Sequence, residues 1–231
     1  MRAKGAVCVE DTFSFLAFDF DVLPYVIITL LVAFTVHEFA HAYVAYKFGD
    51  PTAQKEGRLT LSPIAHLDPF GTILILIAGF GWARPVPVNR FYFKKPRLAG
   101  VLVSVAGPLS NLLMAYLGTV LWSILLLTGV TDSVSPAVSD ALMNFFRIFV
   151  GLNITLFLFN LLPLPPLDGY RILEDLAPRT WRPKMTQFET YGFIVFIVLF
   201  VTPLDQYTVW PFLDKGSELI STLLGVLNPL Y

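Results

Sequence analysis

Hydrophobic positions in this chain fall into long unbroken runs rather than amphipathic stripes. Residues 23–46, 98–127 and 142–162 are each apolar over a length that lets a helix cross a bilayer. A shorter run covers 191–202, and the segment 215–231 holds one more apolar stretch whose crossing the pattern leaves open. Pro24 suits a first helical turn, and Lys47-Phe48-Gly49-Asp50-Pro51 stops the first run. Residues 69–82 are apolar but too short to cross, so they read as re-entrant. Gly57-Arg58-Leu59-Thr60-Leu61-Ser62 alternates as a short strand does. The pattern therefore predicts an all-α polytopic membrane protein. Three long helices are joined by further membrane helices, and a short membrane-associated β-strand and re-entrant region spans 51–97. Residues 1–21 read as an interfacial lead-in, and 22–231 as a single domain.

Composition agrees with the pattern. Of 231 residues, 55% are hydrophobic and only 14% charged, against about 25% charged in ordinary soluble domains. Net charge is −1 and no basic, aromatic-interleaved patch stands out, which argues against nucleic acid as a partner. The single Cys8 excludes an intrachain disulfide and a CxxC metal site. Lysine and arginine concentrate in 47–97 and 171–184, whereas 128–140 has none, so the first two segments are expected on the cytoplasmic side.

Polar residues inside the apolar runs mark candidate chemistry, because an ionisable group in hydrocarbon needs a partner. The first run is interrupted by Thr35-Val36-His37-Glu38-Phe39-Ala40-His41-Ala42-Tyr43, an HExxH motif. Four residues apart on a helix, His37 and His41 share a face and can bind one metal ion, with Glu38 beside them as a base. A third ligand is needed. Asn160-Leu161-Leu162-Pro163-Leu164-Pro165-Pro166-Leu167-Asp168-Gly169 ends the third run, and its prolines let an extended segment leave the helix line and carry Asp168 toward the first run. His66-Leu67-Asp68-Pro69 is the rival source, or else a cap for the segment that follows. In the second run, Gly100, Ser104, Gly107 and Ser110 let another helix come close, and Asn111 reads as a packing hydrogen bond. Pro85 and Pro87 strip donors from one edge of Arg84-Pro85-Val86-Pro87-Val88. The N–H groups of Arg84, Val86 and Val88 then form either a docking edge for an extended peptide or part of a rigid polyproline-like connector.

His37-Glu38-Phe39-Ala40-His41, taken with Asn160-x-x-Pro163 and Pro166-Leu167-Asp168-Gly169, resembles the site-2 protease family of intramembrane zinc metalloproteases (peptidase family M50). Gly57-Arg58-Leu59-Thr60-Leu61, Ala65-His66-Leu67-Asp68-Pro69 and Gly107-Pro108-x-x-Asn111 resemble its compact bacterial branch. The resemblance implies three core transmembrane helices and one zinc ion per chain on His37, His41 and Asp168, with Glu38 as general base. Asn160 resembles a family residue placed near the metal, and either donates to the oxyanion or makes an interhelical bond. A membrane-anchored protein with a transmembrane segment would be the substrate, and a bacterial cytoplasmic membrane the setting. Larger relatives insert PDZ domains between the second and third core helices, where this chain has only the loop 128–140. A catalytically silent membrane adaptor that binds metal is the alternative. A metal or proton transporter would repeat such residues along a pathway, and this chain does not.

Overall fold

The computed structural model describes residues 18–78 and 81–224, all helix, turn or loop. Helix α1 (Leu23–Lys47) starts with Pro24 in its first turn and ends before Gly49, whose φ of 98° is open to glycine but not to most residues. Short helices α2 (Thr52–Lys55) and α3 (Pro63–His66) follow, then α4 (Pro69–Ala78). Helix α5 (Pro96–Leu127) is the longest, with Pro108 inside it. The single turn α6 (Val130–Ser133) leads into α7 (Pro136–Asn160). Helices α8 (Asp168–Leu176), α9 (Arg182–Val201), α10 (Leu204–Thr208) and α11 (Trp210–Leu223) complete the described chain.

Three of these, α1, α5 and α7, are long and apolar enough to cross a membrane. Helix α5 lies at the centre, packed on α1, α7 and α8, while α11 leans on α7. The main core joins Phe146, Val150, Ile154 and Leu158 of α7 to Ala115 and Trp122 of α5, to Phe196 of α9 and Leu213 of α11, and to Val209 between α10 and α11. A second cluster sets Val26, Leu30 and Phe34 of α1 against Ile75 of α4. Leu109, Leu113, Tyr116, Leu117, Leu121 and Ile124 instead form an exposed stripe down α5. In water such a stripe is a liability, and in a bilayer it is the lipid-facing side.

The expected strand is absent: no described residue of 51–97 is in a strand. At ten residues, α4 is about 15 Å long, half a hydrocarbon thickness. The alternation over 57–62 finds no ladder, because Gly57 turns at φ 68° directly after α2 and Arg58 buries its side chain. The segment 84–88 has no regular secondary structure, and two of its donors are used within the chain. Arg84 N–H donates to the His66 carbonyl at 2.8 Å, and Val86 N–H donates to the Glu38 carboxylate at 2.8 Å. Pro85 and Pro87 contribute no donor, so two of the three N–H groups of this segment are engaged within the chain, at His66 and Glu38. The lead-in proposed for 1–21 lies almost entirely outside the described residues, as do 225–231 of the C-terminal segment.

Candidate metal centre

Helix α1 carries His37 and His41 one turn apart, their Nε2 atoms 3.0 Å from each other. Asp168 Oδ2 stands 3.2 Å from both. The proline-rich segment delivers this carboxylate as the first residue of α8, directly after Leu167 in extended conformation. Gly169 is needed there for closeness and not for an unusual φ. A Cβ on it would overlap the Leu161 carbonyl at the end of α7.

The donor set fits a metal ion. Ligand atoms at corners of a tetrahedron with arms of about 2.0–2.1 Å are about 3.3 Å apart, close to the observed triangle. The partners of the outer ring nitrogens point the same way. His41 Nδ1 donates to the Val103 carbonyl at 2.7 Å, and His37 Nδ1 faces Asn111 Oδ1 at 2.7 Å. An imidazole that donates from Nδ1 keeps a lone pair on Nε2, and here both Nε2 atoms face a carboxylate oxygen. A metal ion between them would be held by all three atoms at once. Space for it depends on Gly107 of α5, where a Cβ would overlap the Nε2 atoms of both histidines. Zinc, with its preference for imidazole and carboxylate ligands in a tetrahedral arrangement, suits this set.

His37, Glu38, His41, Asn160 and Asp168 all line one cavity of about 190 Å³, together with Val86 and Arg171. Glu38 is 8% exposed, and its Oε2 accepts the Val86 N–H. Asn160 uses one amide hydrogen on the Leu156 carbonyl of its own helix at 2.9 Å, and among the described residues it makes no bond to another helix. The amide has a second hydrogen to offer. His66 and Asp68 do not join the ligand group. His66 is fully buried with Nε2 on the Thr60 carbonyl at 2.8 Å, and Asp68 Oδ1 caps Gly71 N–H at 2.8 Å.

Several contributors were not legible beforehand. Gly107 appeared as a packing residue, yet it makes room at the ligands. Asn153, wholly buried on α7, has its signal in the sequence too, since an amide in an apolar run needs a partner. Arg58, 5% exposed, donates through Nη2 to the Arg84 carbonyl at 2.6 Å and so anchors the segment that touches Glu38.

Residues 25–203 match Peptidase family M50. Over 217 residues the chain is 62% identical to a Bacillus subtilis protein named "Putative zinc metalloprotease YwhC", covering 94% of this chain and 98% of that one. It is 31% identical to a Mycolicibacterium smegmatis protein named "Putative zinc metalloprotease Rip2", over 75% of this chain and 65% of the relative. A Methanocaldococcus jannaschii protein, "Putative zinc metalloprotease MJ0611", is 31% identical over 68% of this chain and 73% of its own length. No solved structure matches significantly. With its three membrane-length helices and its HExxH pair opposite an aspartate, the chain belongs to peptidase family M50, the site-2 protease family of intramembrane metalloproteases.

Proposed function

We propose that this chain hydrolyses peptide bonds in or beside the transmembrane segment of a membrane-anchored protein, using one zinc ion held by His37, His41 and Asp168. The convergence of those three ligand atoms in one cavity with Glu38 and Asn160 carries this reading. Zinc, when bound, supplies the positive charge that acidifies water and polarises a carbonyl. Glu38 is the general base. With Oε2 engaged by Val86 N–H, its Oε1 takes the proton from the attacking water and passes it to the leaving amine. The free amide hydrogen of Asn160 donates to the carbonyl oxygen as it gains charge. Residues that unwind the substrate helix would aid cleavage, since its backbone is otherwise shielded by its own hydrogen bonds. The lysine and arginine bias supports an active site toward the cytoplasmic side, in a bacterial cytoplasmic membrane.

The test is cleavage of a single-pass model substrate by the purified protein in detergent, with and without a zinc chelator. Cleavage is expected to stop on chelation and to return with added zinc. A Glu38→Gln protein should retain zinc and lose cleavage. Turnover that survives both treatments would refute the mechanism, and a zinc-bound wild type that cleaves nothing would favour the silent adaptor.

A further inference from the structure

The two histidines are oriented by different means. His41 Nδ1 meets a backbone carbonyl, Val103 O, which can only accept. His37 Nδ1 meets the side-chain amide of Asn111, whose two ends look alike in shape but are opposite in hydrogen bonding. Were Asn111 turned over, its NH2 would face His37 Nδ1 and favour the tautomer with hydrogen on Nε2, which cannot ligate a metal.

What decides the orientation of Asn111 lies one helix further away. Its Nδ2 donates to Asn153 Oδ1 at 3.1 Å, and Asn153 Nδ2 donates to the Phe149 carbonyl at 2.8 Å. That carbonyl has no hydrogen to give, so Asn153 must turn its NH2 toward it and its oxygen toward Asn111. Asn111 must then turn its NH2 toward Asn153, where the Ala33 carbonyl at 3.5 Å is a weaker second acceptor. Only its oxygen remains for His37. Both amides are fully buried, so water does not compete for these bonds.

We infer that Asn153 is a positioning residue of the metal site, setting the tautomer of His37 through Asn111 across α7, α5 and α1. The inference rests on the zinc reading given above, and it concerns a residue that touches neither metal nor substrate. Changing Asn153 to Leu frees Asn111 to turn over and places hydrogen on His37 Nε2 in part of the population. An Asn111→Asp change removes the ambiguity, because an ionised carboxylate only accepts and holds hydrogen on Nδ1 without help.

The experiment is zinc affinity by chelator competition for wild type, N153L, N111D and the double variant N111D/N153L. Alongside it, nitrogen-15 shifts of the histidine rings are read in the zinc-free proteins. N153L should weaken zinc binding by about 10–100-fold, the range for lost partners of ligating histidines. It should move the His37 signals toward the Nε2–H tautomer and leave those of His41 in place. The double variant should bind zinc at least as tightly as N111D does, because N153L also removes the oxygen that would face the new carboxylate. Wild-type affinity in N153L, or a double variant as weak as N153L, would overturn the proposal, the second outcome marking a packing defect. Absence of zinc binding in the wild type would instead sink the metal reading beneath it.

Discussion

Two regions meet at Glu38, and they hold it by different chemistry. On one side the crossing of α1, α5 and α7, with the start of α8, gathers side chains: two imidazoles, a carboxylate and the amides behind them. On the other side the irregular segment between α1 and α5 presents backbone. Val86 N–H meets the carboxylate, and the Arg84 peptide is pinned by His66 and Arg58. The helical side is built to hold a metal, and the irregular side to hold the base. Damage to the first should therefore appear as lost zinc, and damage to the second as lost turnover with zinc in place.

Asp168→Ala should break the helical side outright, since one of three ligands goes. Zinc content should fall far below one per chain and cleavage should vanish, as metal analysis of the purified protein would show. Full zinc occupancy in that variant would reopen the assignment of the third ligand. Glu38→Gln separates the two sides most sharply. It should cut kcat by roughly 10²–10⁴-fold, the usual worth of a general base, at unchanged zinc stoichiometry.

Gly107→Ala should come next. The added methyl overlaps both Nε2 atoms, so zinc affinity should drop by about tenfold or more even though alanine is the better helix former. Arg58→Met tests the irregular side. It keeps the buried bulk but removes the donor to the Arg84 carbonyl, so kcat should fall by about tenfold, in line with one lost charge-assisted hydrogen bond. Zinc should stay bound, and its loss would erase the proposed division of labour. Leu113→Ala on the exposed stripe of α5 lies outside both regions. Thermal denaturation in detergent should place it within about 0.5 kcal/mol of wild type.

The same contrast explains what could be read from the chain beforehand. His37 and His41 are four residues apart in an apolar run, and helical periodicity alone puts them on one face. Asp168 was legible because prolines around it forbid the helix that would otherwise carry the chain away. The segment 51–97 differs from its sequence pattern, which alternates over 57–62 as a strand does, because a strand also needs a neighbour with free donors and acceptors. Here Arg84 and Val86 spend theirs on His66 and Glu38. Nothing in local sequence announces a backbone N–H aimed at a side chain 48 positions earlier.

The sequence by itself determined the class of molecule and the kind of chemistry, because hydrophobic length and residue spacing along one helix are local properties. Tertiary structure alone decided the rest. Gly107 stands where a methyl would fill the site, Val86 lends its amide to Glu38, and Asn153 stands behind Asn111. Each of these depends on the distance between helices far apart in the chain, and such distances are set by how whole faces pack rather than by any single stretch of residues.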